Sequence, residues 1–212
     1  MNKKWKRILM TIYILVLVVM LSTATFAYFS IIQVTTVKPV VQTTTAVTDW
    51  LSFNTGDAIN IYATEENFGQ GMGDIIGSSY GSVLLRVSNE GTEATYNYNI
   101  TLNIEDNNFV YTTDTSDAEL LLVVHDPEDN EVRDIPGLQY VSVVNGNGEE
   151  LHGFDVTTAT GTYYIANNYA ITSNLQEQHI WDVDLILVNL GSDQQENTDK
   201  SIDAYLEVSA AQ

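Results

Sequence analysis

Cysteine is absent from the 212-residue chain. That single absence excludes disulfides, thiolate metal sites, a cysteine nucleophile and an acylated lipoprotein cysteine. Stability therefore has to come from burial and sheet hydrogen bonding. Basic residues are also scarce, with eight Lys and Arg against 28 Asp and Glu and a formal net charge of −20. That sign disfavours nucleic acid and anionic membrane as partners, while it favours solubility and low nonspecific adhesion. Only three histidines occur, His125, His152 and His179, and no two share a zinc-helix spacing. The glycine-rich stretch from Gly69 to Gly81 lacks the Lys-Ser/Thr of a phosphate loop and any following helix pattern. Ser, His and Asp all occur, but a residue inventory does not make a triad. No enzyme activity and no obligatory cofactor are expected. The C-terminus, Ser209-Ala210-Ala211-Gln212, shows no anchoring pattern.

What is present begins with a segment that sets the destination of the rest. Lys3, Lys4, Lys6 and Arg7 form a basic tip, Ile8 to Leu21 is almost unbroken aliphatic sequence, and Ser22 to Ala27 is small and weakly polar. That order is the layout of an export signal, with the charged tip kept in the cytoplasm. Thr25 and Ala27 suit a cut between Ala27 and Tyr28, and Ser22 and Ala24 suit one before Thr25. Retention as an anchor stays open, because the uncharged run continues to Val37 and about 20 apolar residues span a bilayer. Small residues in place of a basic stop-transfer flank favour cleavage. Loss of 27 residues removes four of the eight basic residues and none of the 28 acidic ones, leaving 185 residues at −24. That length suits one all-β domain. An exported chain without cysteine fits a bacterial surface.

Residues 28–48 differ in composition from everything after them. The segment is rich in Val and Thr, is interrupted by Lys38-Pro39, and has no acidic residue before Asp49. β-Branched residues favour extended chain, and Pro39 forbids a central ladder position, so an edge strand, linker or free arm is expected.

From Asp49 the chain reads as short strands separated by turn residues. Trp50–Phe53 and Ala58–Ala63 flank a hairpin-length connection at Asn54–Asp57. Phe68–Tyr80 reads as a glycine-rich loop, and Val83, Leu85 and Val87 alternate after it. Tyr96–Ile104 alternates apolar and polar residues throughout, the mark of a strand with one wet face. Further strands are expected at Leu120–His125, Leu138–Val144, Gly161–Ile171, Gln178–Leu190 and Ser201–Ser209, with a positive-φ turn at Asn145–Gly148. In Gln178–Leu190, Trp181, Val183, Leu185 and Leu187 line one face, while Ile186, Val188 and Leu190 partly cover the other. No amphipathic helix longer than two turns is visible. Nine or ten strands at this spacing predict an all-β, antiparallel two-sheet sandwich over residues 49–212, jelly-roll or immunoglobulin-like, preceded by the signal or anchor helix.

Two acidic loops are weak calcium candidates, offering Asp126, Glu128 and Asp129 in one and Asp193, Glu196 and Asp199 in the other. Calcium needs six to eight oxygens, and neither loop matches a calcium-loop pattern, so solvated turns are the simpler reading. Tyr163, Tyr164 and Tyr169 suit cross-strand core pairs better than a carbohydrate or protein contact surface.

The junction Thr25-Phe26-Ala27-Tyr28-Phe29-Ser30, with the Thr- and Asn-rich strands, resembles the TasA/camelysin family of exported bacterial fibre proteins. The run Val188 to Asn197 before a final alternating strand is similar to the closing strands of small surface proteins with this type of signal. These matches cover the signal and the last quarter of the chain. The resemblance implies a jelly-roll subunit, processed by a dedicated signal peptidase, that polymerises into the extracellular matrix fibres of a biofilm. Protease activity associated with camelysin-like proteins is not carried over, since no metal motif supports it.

The expectation is therefore a secreted or cell-surface structural protein that homopolymerises. Its arm would be the donor strand, with Val34, Val37, Val40 and Val41 filling a neighbour's pockets. The alternative is an anchored ectodomain on a 31–48 stalk, with an adhesive or ligand-binding role, membrane contact confined to the N-terminal segment and a matrix or cell-surface partner.

Overall fold

The computed structural model describes residues 51–69, 71–87 and 93–211. The export segment, the Ala27–Tyr28 junction and the arm with Val34, Val37, Val40 and Val41 lie outside the described residues. Ten strands follow in order: β1 (Leu51–Thr55), β2 (Ile59–Tyr62), β3 (Ile75–Arg86), β4 (Ala94–Asn107), β5 (Leu120–His125), β6 (Gln139–Val144), β7 (Glu150–Asp155), β8 (Gly161–Ser173), β9 (Gln176–Leu187) and β10 (Ser201–Ala210). The only helical turns among the described residues are two short 3₁₀ turns, at Glu65–Asn67 and Gln195–Asn197.

All pairing is antiparallel, in a six-stranded sheet ordered β1-β3-β9-β5-β7-β6 and a four-stranded sheet ordered β2-β10-β4-β8. The pairs β3 with β9, β4 with β8 and β5 with β7 nest one inside the next. The two sheets share one core. Leu85, Leu122, Val183, Leu185 and Phe154 from the wider sheet meet Ile59, Ile61, Ile100, Leu102, Ile202 and Leu206 from the narrower one. Each such aliphatic side chain contributes about 1.5–3 kcal/mol on burial. The alternation in β4 sends Tyr98, Ile100, Leu102 and Ile104 into that core, as the sequence pattern requires.

Three local expectations are corrected. The connection Asn54–Asp57 does not close a hairpin: β1 pairs with β3 while β2 pairs with β10, so the chain crosses between sheets there. Second, β3 begins at Ile75, inside the stretch expected to be loop. Its Gly77 and Gly81 serve close approach between sheets. A Cβ on Gly77 would lie 2.5 Å from Ile59 Cγ2, and one on Gly81 would lie 3.2 Å from Ile100 Cδ1. Glycine inside a strand is tolerated where another chain packs this tightly. Third, β9 stops at Leu187, and β7 is a strand that no periodic signal marked.

Ile186, Val188 and Leu190 do cover the other face. They join Ala118, Leu121, Val143, Val141 and Leu151 in a second, smaller apolar cluster. Leu120 and Leu122 belong to the main core and Leu121 to this one, so the small cluster lies on the outer side of the six-stranded sheet.

Candidate functional site

Among the described residues four strands have an unpaired side. The edge strands β1, β2 and β6 have five, four and six residues, while β8 has 13. Among the described residues, β8 pairs with β4 and no other strand takes its second side. An unpaired strand of this length is a template for strand addition. It is shaped by irregularities: its register against β4 shifts on either side of Ile100, and Asn168 stands at φ 53 with its N–H donated to Asn99 Oδ1 at 2.7 Å. Tyr164 on this strand is 46 % exposed, whereas Tyr163 and Tyr169 pack against the core. Strand β1, which follows the undescribed N-terminal segment directly, is an edge of the other sheet.

The acidic loops are built as turns. Asp126 Oδ1 accepts the N–H groups of Glu128 and Asn130, both at 2.9 Å, and Asn130 Nδ2 reaches both carboxylate oxygens at 3.2 Å. Desolvation works against the charge of Asp126, but these donors outweigh it and hold the carboxyl below its ordinary value. Asp129 takes the left-handed position of the turn at φ 63, and Glu128 is exposed. Glu131 accepts from the Tyr140 hydroxyl and from Arg133, and both lower its pKa against the effect of burial.

In the second loop, Asp193 Oδ1 accepts the N–H of Gln195, Glu196 is exposed on a 3₁₀ turn, and Asp199 Oδ1 accepts the Tyr62 hydroxyl at 2.8 Å. The structure does not gather the calcium candidates: among the described residues no group of three or more His, Asp or Glu side chains could hold a metal. In each loop one carboxylate, Asp126 or Asp193, serves nearby N–H groups as turn chemistry requires.

A polar link crosses the core between β4 and β9. Trp181 Nε1 donates to the buried Tyr98 hydroxyl at 2.8 Å, and that hydroxyl lies 2.9 Å from His179 Nδ1. Tyr169 stacks edge-on against both Trp181 and His179. With the phenol oxygen accepting from Trp181, its own proton is free to go to Nδ1 in the tautomer where His179 accepts there. Burial lowers the His179 pKa, while Glu177 and Glu128 oppose that effect from a distance. Burial also raises the Tyr98 pKa.

Contrary to the expectation that no nucleophile-elbow string is present, Gly77-Ser78-Ser79-Tyr80-Gly81 matches Gly-x-Ser-x-Gly. It lies within extended β3 and not on a strand-to-helix turn. Ser79 Oγ donates to the Asp57 carbonyl at 2.7 Å. The string is a product of close sheet packing.

Also missed was a buried polar cluster beneath the loops that precede β5 and β10. Glu119, Thr157, Gln194 and Asn197 are all essentially inaccessible to solvent. Thr157 Oγ1 receives the N–H groups of Glu119 and Leu120. Asn197 clasps the backbone of Val110 through both ends of its carboxamide, at 2.8 and 3.0 Å. Nothing in the local sequence separates these residues from ordinary loop Asn, Gln and Glu. Among the described residues no helix is long and apolar enough to cross a membrane. No family model and no curated protein matches the chain.

Proposed function

We propose that this chain is an exported, non-enzymatic structural protein of the bacterial surface or matrix. In this reading it self-assembles into fibres by strand addition. The long side of β8 that no other described strand takes is the observation that carries the reading. Such an edge offers a row of N–H and C=O groups to an incoming β-prone segment. The arm at 28–48 is the part of the chain composed for that role, with Val34, Val37, Val40 and Val41 at hand for pockets along the edge. The nested pairing of β3 with β9, β4 with β8 and β5 with β7 supports a jelly-roll over an immunoglobulin-like winding, because a folded long hairpin generates that nesting.

Removal of Tyr28–Val41 is expected to leave a folded monomer, read by circular dichroism and sedimentation, with fibres lost by electron microscopy. Undiminished fibres would dispose of the donor-strand assembly. Sequencing the mature N-terminus separates this reading from the anchored ectodomain: a start at Tyr28 supports a freed arm, and an intact Met1 supports the anchor.

A further inference from the structure

Glu119 is 0 % exposed, and among the described residues it has no cationic partner. Its two oxygens instead receive four bonds from neutral groups. On Oε1 are the Thr112 N–H at 2.6 Å and the Thr112 hydroxyl at 2.5 Å. On Oε2 are Gln194 Nε2 at 2.9 Å and Asn197 Nδ2 at 2.5 Å. One buried carboxylate thus holds a hydroxyl and a primary carboxamide side by side. The carbonyl oxygen of Gln194, itself 1 % exposed, accepts the Leu190 N–H at 2.8 Å, while Nε2 also donates to the Val188 carbonyl at 3.0 Å.

These are the parts of an acyl transfer. A nucleophile rests on a base, a leaving nitrogen rests on the same base, which can return the proton, and a backbone N–H stands where negative charge would develop. We propose that Thr112 and Gln194 form an intramolecular ester cross-link, with Glu119 as the proton relay.

In the reaction, Thr112 Oγ1 passes its proton to Glu119 and bonds to Gln194 Cδ. The Leu190 N–H meets the resulting oxyanion. The Cδ–Nε2 bond then breaks as Glu119 returns the proton to nitrogen, and ammonia departs. One C–O bond replaces one C–N bond, no electrons are exchanged and no co-reactant is required. Holding the hydroxyl on one oxygen of Glu119 and the amide on the other limits the motion that brings them together. The burial of Gln194 and Glu119 shields the acyl side of the ester from water once it forms.

The link would join the loop before β5 to the loop before β10, closing a long stretch of chain covalently in a protein without disulfides. Cross-links of that kind stabilise by restricting the unfolded chain. Asn197, buckled to Val110 at both ends of its carboxamide, acts as a positioning residue that holds the first loop in place.

Intact mass and peptide mapping of the purified full chain test the proposal. Wild type should be lighter than its own sequence by one ammonia. The peptides carrying Thr112 and Gln194 should travel as one species that hydroxylamine separates. Thr112→Ser keeps the hydroxyl and should keep the link, whereas Thr112→Val and Glu119→Gln should restore the full mass and separate peptides. A wild-type mass equal to the sequence would reduce the cluster to a hydrogen-bonded clasp and overturn the proposal. Ammonia loss that persists in Thr112→Val, or a link mapped to Asn197, would equally overturn the assignment.

Discussion

The space between the sheets and the shell of loops around them are held by opposite chemistries. Between the sheets most contacts among the described residues are aliphatic or aromatic, and the most extended polar feature is the Tyr98 bridge from Trp181 to His179. In the shell, single carboxamides do the fastening. Asn107 Nδ2 faces the carbonyls of Val156, Thr157 and Ala159 at 3.0–3.2 Å. Asn189 Nδ2 faces those of Asn67, Gly69 and Met72, the closest at 2.8 Å, while its own N–H is taken by Asp74. Loops bring backbone groups out of any ladder, and buried backbone groups need partners. A carboxamide offers two donors and an acceptor on a short stem, so one Asn can satisfy a whole turn. The difference teaches where a chain without cysteine keeps its order: in the core by area, and in the loops by a few obligatory hydrogen bonds.

Breaking the core should cost most. Phe154→Ala removes a fully buried ring that Tyr140 meets edge-on, and a loss of about 3–5 kcal/mol is expected from chemical denaturation. A loss no larger than that of an exposed alanine substitution would mean that the wider sheet's far side is not a true core.

Breaking a loop fastening should cost less and act locally. Asn189→Ala strips the donor from three carbonyls and should lower stability by about 1–3 kcal/mol. Its sharper readout is faster proteolysis near Gly69 and Met72 than elsewhere; uniform sensitivity along the chain would show that the shell is not separately fastened.

The smallest expected effect probes the polar bridge within the core. The folded state depresses the pKa of His179, so it binds a proton less readily than the unfolded chain does. Its contribution is therefore complete above the ordinary value of 6.5 and is lost as pH falls below it. The folded carboxylates with depressed values, Asp126 and Glu131, lose their contributions only below the ordinary carboxyl values of 3.8 and 4.5. Unfolding free energy followed downward from neutral pH should decline first through the histidine window. In His179→Asn the side-chain oxygen stands in for Nδ1 as the acceptor of the Tyr98 proton, and that first decline should vanish. An identical decline in the variant would assign it to other groups.

Much of this architecture was legible in one dimension. Strand alternation at Tyr96–Ile104 and Ser201–Ser209 identified faces as well as elements, because a period of two is a direct consequence of the pleat. The acidic loops were equally readable as turns, since Asp126 and Asp193 bond to N–H groups within four residues. What failed to show was whatever depended on distant chain. Gly77 and Gly81 read as loop because their reason, the side chains of Ile59 and Ile100, lies across the sandwich. Strand β7 escaped notice because His152 and Gly153 interrupt its pattern, and it is held mainly by its register with β6.

The sequence by itself determined an all-β chain with no thiol chemistry, a strongly acidic composition and the positions of most strands. Composition and local periodicity act through neighbouring residues, so they survive without a fold. Only the tertiary structure decided which strands pair, left one side of β8 open among the described residues and brought the half-buried Thr112 onto the buried Glu119, Gln194 and Asn197. Those outcomes depend on register and on inter-sheet packing, and groups far apart in the chain meet only after both are settled.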